Sequence, residues 1–205
     1  MHATTAMRDK TAAGSRSVRQ MIAAARREFF VHGFRRVRMD DLAADLGISK
    51  KTLYAAFPSK SSLVEAVLNT KFEEVEADLR RLSSEHPSDM EEAIHRFLQR
   101  VQRHTSEIHP PFVRDLGRET PELFHIVEHR RRRLIRRHVG ALFTKGRKAG
   151  LIRRDIPVHL LIEILLGAVE AVINPAKVTE LGLTLEKGYS IVIRVILEGA
   201  IRRTR

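Results

Sequence analysis

The sequence predicts an all-α fold. Apolar residues recur at steps of three and four along almost the whole chain, and no stretch shows the alternation of a half-buried strand or the turn pair of a hairpin. The 205 residues, 43% hydrophobic and 30% charged, suffice for one domain of ordinary size or two small ones sharing an interface. The absence of cysteine removes disulfide frameworks, thiolate zinc sites and cysteine nucleophiles, and fits a reducing, cytoplasmic setting. The most apolar stretch, Val158 to Ile173, is too short to span a bilayer and is interrupted by His159, Glu163, Gly167 and Glu170, so it reads as a buried helix and no membrane partner is expected. The opening MHATTAMRDKTAAGSR has no apolar signal-peptide core, and residues 1–14 are expected to form a flexible tail.

Nine helices, approximately, follow in order. From Ser15 to Val31, Val18, Ile22, Ala25 and Phe29 form one stripe, with Arg16, Arg19, Arg26 and Arg27 largely between them. His32-Gly33-Phe34 ends that helix, Gly33 supplying the positive φ of a C-cap. Asp40 to Leu46 opens on two acids suited to a helix N-terminus and stops at Gly47. Ser49 caps the next short helix, Lys50 to Phe57, whose inward residues are Leu53 and Phe57. Pro58 closes it, and Ser59 caps a longer helix through Leu63, Val67, Val75 and Leu79 to about Leu82.

The breaker SSEHPSD marks a change of composition. Helices are then expected over Met90 to Thr105, Phe112 to Gly117 and, with Thr120 as cap and Pro121 in the first turn, from there to Lys148. The last two cover Val158 to Ile173 and Leu185 to Arg203. The first of these is apolar on nearly all sides, which requires partners around more than one face. Pairing both helices against a second copy would supply them, so a homodimer through a four-helix contact is expected, with Leu161, Leu165, Val169, Tyr189, Val192, Ile193 and Ile196 at the interface.

The net charge of +12 is unevenly spread, more than half of the excess lying within residues 1–60. A compact basic unit suits a phosphate-backbone partner, although a merely solvated basic surface has the same charge. The segment DDLAADLGISKKTLYAAF, Asp40 to Phe57, has the anatomy of a helix-turn-helix, with small Ala43 where two short helices meet. Its second helix presents Lys50, Lys51, Thr52 and Tyr54 outward, while Ile48, Leu53 and Phe57 hold it to the core.

In that segment and beyond it, Asp41-Leu42-Ala43, Gly47-Ile48-Ser49, Thr52-Leu53-Tyr54 with Phe57, and Pro58-Ser59-Lys60 with Leu63 stand in the register of the DNA-binding domain of TetR/AcrR-type transcriptional regulators, which this sequence resembles over about residues 16–68. The resemblance implies a helix-turn-helix DNA-binding domain of three helices over 15–60 and a helical ligand-binding and dimerisation domain over 61–205. It implies a homodimer on a palindromic or pseudo-palindromic double-stranded DNA operator, an unidentified small-molecule effector, and repression as the usual mode. Ser49, Lys50, Lys51 and Thr52 are then expected at bases and phosphates, with Tyr54 and Lys60 at the backbone. The sequence departs from the pattern in two places. Arg38 stands where a Thr or Ser commonly caps the second helix and touches phosphate, and Ala55 and Ala56 follow Tyr54 where an aromatic or His is common. A charge-assisted contact from Arg38 replaces the first loss, and base readout leans on Lys50, Lys51 and DNA shape.

The middle of the C-terminal unit is the candidate effector cavity, with Phe97, Val101, His104, Phe112, Phe124, His125 and Val127 as candidate lining, although such residues also make plain core. His125 and His129 share a helix face with His104 in reach, but no fixed carboxylate completes a metal spacing, and neither metal nor cofactor is expected. The run Arg130 to Arg133 with Arg136 and Arg137 reads as a solvated helix face, an anionic-ligand pocket or a contact with DNA or a partner protein. No nucleophile elbow, phosphate-cradling glycine loop or paired-carboxylate spacing points to an enzyme. The competing readings are a basic architectural protein that coats DNA without preference and a helical metal-dependent enzyme.

Overall fold

The computed structural model describes residues 2–84 and 90–200, and over them the chain is helical apart from short connections. The helices are α1 (His2–Arg36), α2 (Met39–Asp45), α3 (Lys50–Ala56), α4 (Lys60–Ser84), α5 (Met90–Ser106), α6 (Pro110–Glu119), α7 (Pro121–Leu134), α8 (Gly140–Lys148), α9 (Val158–Val172), α10 (Pro175–Glu180) and α11 (Leu185–Ala200). A π-helical turn, Ile135–Val139, joins α7 to α8 as one rod. Among the described residues ten rods result. The one beyond expectation is α10, where the Asn174 side chain accepts from the Lys177 N–H at 2.9 Å and Pro175 opens the helix.

Helix α1 starts at His2, whereas a tail was expected over 1–14. Residues 85–89 of the expected breaker and 201–203 of the expected last helix lie outside the described residues. Thr120 stands at the N-cap position of α7 but makes no side-chain cap; its hydroxyl donates back to the Leu116 carbonyl at 3.1 Å. The expected cap is therefore replaced by an intrahelical bond closing α6.

Two apolar clusters organise the packing. The first gathers Met21, Ala25, Phe29 and Phe30 of α1, Leu42 and Ala43 of α2, Leu53 of α3 and Leu63, Val64 and Val67 of α4. Phe112 and Leu116 of α6 and Leu123 of α7 belong to it as well, so the second half of the chain helps to build the core of the first. The second cluster joins Leu79 of α4 and Phe97 of α5 to Phe143, Leu161, Leu165 and Val169, and to Val192, Ile193 and Leu197 of α11. Burying each large side chain fully is worth about 1.5–3 kcal/mol. The long helix α4 contributes to both clusters and so carries any change in one toward the other.

Helices α1 and α6, both in the first cluster, meet at the end of α1. Gly33 has φ 85° and ψ 167°, which breaks the helix just where the sequence placed its end. A Cβ at Gly33 would come 2.6 Å from the Asp115 carboxylate and 3.1 Å from the Pro111 carbonyl, so the glycine also permits α6 to lie against the break. The buried Asp115 accepts from the Arg35 N–H at 3.0 Å, and the Phe30 carbonyl accepts from the His109 N–H at 2.9 Å.

Candidate nucleic-acid interface and effector cavity

Local chemistry fixes the second helix of the helix-turn-helix. The Ser49 hydroxyl accepts from the Thr52 N–H at 3.0 Å and lies 2.8 Å from the Thr52 hydroxyl, so both side chains serve the cap. Leu53 is fully buried, which forces Lys50, Lys51, Thr52, Tyr54 and Ala55 to the outside of a two-turn helix. Tyr54 is 43% exposed and is no core residue. The Lys50 ammonium pairs with Asp40 at 2.6 Å; both groups are exposed, so the pair is worth little and yields readily to a phosphate. Arg38 occupies the N-cap of α2 without a side-chain cap bond, exposed and available, and Asp40 and Asp41 complement the helix start in its place.

Lys60, expected at the DNA backbone, stands at the first position of α4. Its ammonium lies 4.4 Å from the centre of the Phe34 ring and donates to the Arg35 carbonyl at 3.4 Å, tying α4 to the end of α1. Burial lowers its pKa, against the pull of Asp115 and Glu119. Its neighbours Ser59 and Ser62 form a reciprocal cap, with Ser62 N–H to Ser59 Oγ at 3.0 Å and Ser59 N–H to Ser62 Oγ at 3.1 Å.

Between α4, α5, α7, α9 and α11 lies a cavity of about 200 Å³ with an almost wholly apolar wall. Phe97, Val101, His104, Phe112, Phe124 and Val127 line it, six of the seven residues proposed from sequence. His125 does not: it is exposed on the outer side of α7, one position round from the stripe of Phe124, Val127 and Arg131. Lys71, Glu128, Arg131 and Tyr189 also line it.

The polar wall has two corners. Lys71, 5% exposed, ion-pairs with Glu107, and its ammonium lies 3.2 Å from His104 Nδ1. His104 Nε2 faces Asp78 at 3.0 Å, and Arg100 reaches the same carboxylate at 3.1 Å. Glu107 in turn accepts two bonds from Arg26 of α1, at 2.8 and 2.6 Å, and Arg26 also holds Glu74 at 2.7 Å. Burial and the Lys71 charge lower the His104 pKa, so the ring is neutral at pH 7. Glu107 is held below its ordinary range: burial pushes it up, and hydrogen bonds from Arg26 and Lys71 outweigh that cost. At the other corner Arg131 pairs with Glu128 and hydrogen-bonds Tyr189. Burial pushes up both the Glu128 carboxyl and the Tyr189 phenol.

Sequence reasoning missed Arg131 because it sits inside the arginine run. The run divides in the structure. Arg131 turns inward, Arg130 lies over the Phe72 ring at 5.6 Å, and Arg132, Arg136 and Arg137 pair with Glu170, Glu163 and Glu76 at 3.5, 2.9 and 2.7 Å. The available signal was positional: Phe124, Val127, Arg131 and Leu134 fall on one helical stripe, so a residue among the four had to face the apolar side.

Of the seven residues expected at a dimer interface, five are buried within the protomer and two are half-buried. Leu161, Leu165, Val169, Val192 and Ile193 are buried within the protomer, Tyr189 lines the cavity and Ile196 packs on the second core. The outward apolar residues of the same helices are Leu160 and Ile164 of α9, each 45% exposed, and Ile191 and Val195 of α11, at 47% and 63%. A helix apolar on two faces does not declare from its sequence which face is internal. Among the described residues no group of three potential metal ligands gathers, and no helix is long and apolar enough to cross a membrane.

Comparison with known proteins gives a consistent likeness. Residues 21–67 match the family described as bacterial regulatory proteins, tetR family. A curated relative, the HTH-type transcriptional regulator EthR of Mycolicibacterium smegmatis, is 30% identical over 101 residues. That alignment covers 45% of this chain and 46% of the relative, so the match spans less than half of the relative's length. A TetR-family regulator from Agrobacterium tumefaciens superposes with a TM-score of 0.68 at 19% identity, covering 92% of this chain and 100% of the other. A regulator from Saccharomonospora viridis, solved in complex with choline, gives 0.65 at 20% identity over 92% and 100%. At those identities the two structures speak for the fold alone.

Proposed function

We propose that the chain, whose residues 21–67 match the tetR family of bacterial regulatory proteins, is a homodimeric repressor that binds a palindromic operator and is shifted on or off it by a small molecule. The observation that carries this reading is the capped helix α3, held to the core by Leu53 and presenting Lys51, Thr52 and Tyr54 to solvent. A helix of that length fits the major groove, its hydroxyls and ammonium groups reaching base edges and phosphates. Arg38 and Lys50 add backbone contacts from either side.

Dimerisation uses the outward faces of α9 and α11. Leu160, Ile164, Ile191 and Val195 form an exposed apolar surface, with Gly167 and Ala171 allowing close approach. Effector binding in the cavity acts by favouring one spacing of the two α3 helices over another, and α4 is the element that reaches from the cavity wall at Lys71 and Val75 to the DNA-side core at Leu63 and Val64.

The test is a competition titration at physiological salt between duplex from the region flanking the protein's own gene and random duplex. A specificity ratio of about a thousandfold or more is expected. Equal affinity for both, with a steep salt slope, would make the chain an unspecific DNA-coating protein instead.

A further inference from the structure

The two charged corners of the cavity wall differ in how completely they are satisfied. In the Lys71 corner three cations, Arg26, Lys71 and Arg100, meet three carboxylates, Glu74, Asp78 and Glu107, with His104 bridging Lys71 to Asp78. Charge balances there. At the Arg131 corner one guanidinium nitrogen pairs with Glu128, so charge balances there too, but the hydrogen bonding is incomplete. The Arg131 side chain is only 13% exposed, its Nη1 reaches the Ile173 carbonyl at no better than 3.5 Å, and its Nε is buried with no hydrogen-bond partner. A buried guanidinium N–H without an acceptor is costly, and Arg131 stands on the wall of an apolar space large enough for an organic molecule. That space is roughly fifteen times what one water requires.

We propose that the cavity binds an amphipathic organic acid, its apolar body lying among Phe97, Val101, Phe124 and Leu165 and its single carboxylate received by the Arg131 guanidinium and the Tyr189 hydroxyl. The planar guanidinium fork matches a carboxylate in shape and charge, and the phenol supplies one more donor. Lys71 is engaged by Glu107 and His104 as Arg131 is by Glu128, but only Arg131 of the two keeps a buried nitrogen with no partner. This inference rests on the reading of the cavity as the effector site and adds the chemical class of the effector.

The experiment titrates the purified full chain by calorimetry with two matched series below micellar concentration: dodecanoate, dodecanol and dodecyltrimethylammonium, and 2-naphthoate, 2-naphthol and 2-naphthylmethylammonium. Within at least one series the acid binds tenfold or more tightly than the alcohol, and the ammonium binds most weakly. Arg131→Gln brings the acid down to the level of its alcohol, and Tyr189→Phe costs the acid about threefold. The wild-type acid-to-alcohol ratio decides the matter even if a variant fails to fold. Equal binding of acid and alcohol, preference for the ammonium, retention of acid preference in Arg131→Gln, or no binding by any of the six would overturn the proposal. Parallel titration of the DNA flanking the gene separates the two failures. A chain that holds that DNA specifically yet prefers neutral ligands keeps the regulator reading and loses this one, and a chain that binds acids but no specific duplex does the reverse.

Discussion

The DNA-facing helices and the cavity-bearing helices bury their apolar residues by different rules. In α1 to α3 each helix has one apolar stripe and one polar face, so Phe29, Leu42 and Leu53 go inside and Lys51, Thr52 and Tyr54 are left outside. In α9 and α11 apolar residues occupy opposite faces, Leu165 and Val192 inside, Ile164 and Val195 outside. The first region has its function on what it leaves exposed and polar. The second has a cavity on one side and an exposed apolar face, the proposed partner surface, on the other, and needs apolar residues for both. Substitutions that attack one region without the other show how far the two are separable.

The largest effect is expected where they touch. Gly33→Ala forces a Cβ to within 2.6 Å of the Asp115 carboxylate at a φ of 85° that alanine rarely adopts. We expect a loss of about 3 kcal/mol in denaturant unfolding, with the first cluster weakened because α1 and α6 separate. A loss below about 1 kcal/mol would mean that α6 moves away at little cost and that the joint is not rigid.

Next comes the outer face. Ile164→Glu combined with Val195→Glu places two charges in the proposed partner surface while leaving the protomer core intact. Sedimentation should report a monomer, and affinity for a two-half-site operator should fall by about a hundredfold or more, roughly 2.7 kcal/mol. The expected sequence-based residues offer the control: Leu165→Ala, on the inner face, should lower the melting temperature and leave the dimer in place. Dissociation by Leu165→Ala without unfolding would restore the interface first read from the sequence.

What was legible follows the same division. Helix boundaries and the recognition helix were readable because caps and breakers are local: Ser49, Ser59, Gly33 and Pro58 act within a turn of themselves. The cavity residues Phe97, Val101, Phe112, Phe124 and Val127 were readable as inward positions of their stripes. Illegible were the orientation of α9, which depends on what packs against it, and Lys60, whose place depends on Phe34 and Arg35, twenty-five residues away in the chain for its hydrogen bond. Arg131 was hidden by its neighbours: a charge run suggests a solvated face, yet one residue of such a run on an amphipathic helix still falls on the buried side. The helix α10 was legible in Asn174-Pro175, a cap followed by proline, and went unread.

A smaller effect sharpens the polar side of the comparison. Tyr54→Phe removes one exposed hydroxyl and nothing else, so the melting temperature should stay within experimental error. Operator affinity should drop about fivefold, close to 1 kcal/mol, as expected for one hydrogen bond to a phosphate. Unchanged affinity would remove Tyr54 from the interface and leave Lys50, Lys51 and Thr52 to carry it.

The smallest expected effect lies in the network that joins the two regions through Arg26, Glu107 and Lys71. Burial first, and the Lys71 charge second, hold the His104 pKa below its ordinary value of 6.5. As pH falls below that value the unfolded chain therefore takes up a proton that the folded ring still refuses, and stability declines until the folded pKa is reached. Above pH 6.5 both states are neutral and the group contributes no slope. Glu107 behaves with opposite chemistry and the same direction, since its lowered pKa contributes stability above 4.5 that is lost as pH falls toward the folded value. Melting the wild type and His104→Gln between pH 7 and pH 5 isolates the first of these. The variant's melting temperature should fall less across that interval, by about 1–2 °C, while the steeper decline below pH 4.5 persists in both. Parallel curves for the two proteins would show that the ring is already exposed to water in solution, and that the link between Lys71 and Asp78 does not hold α4 against α5.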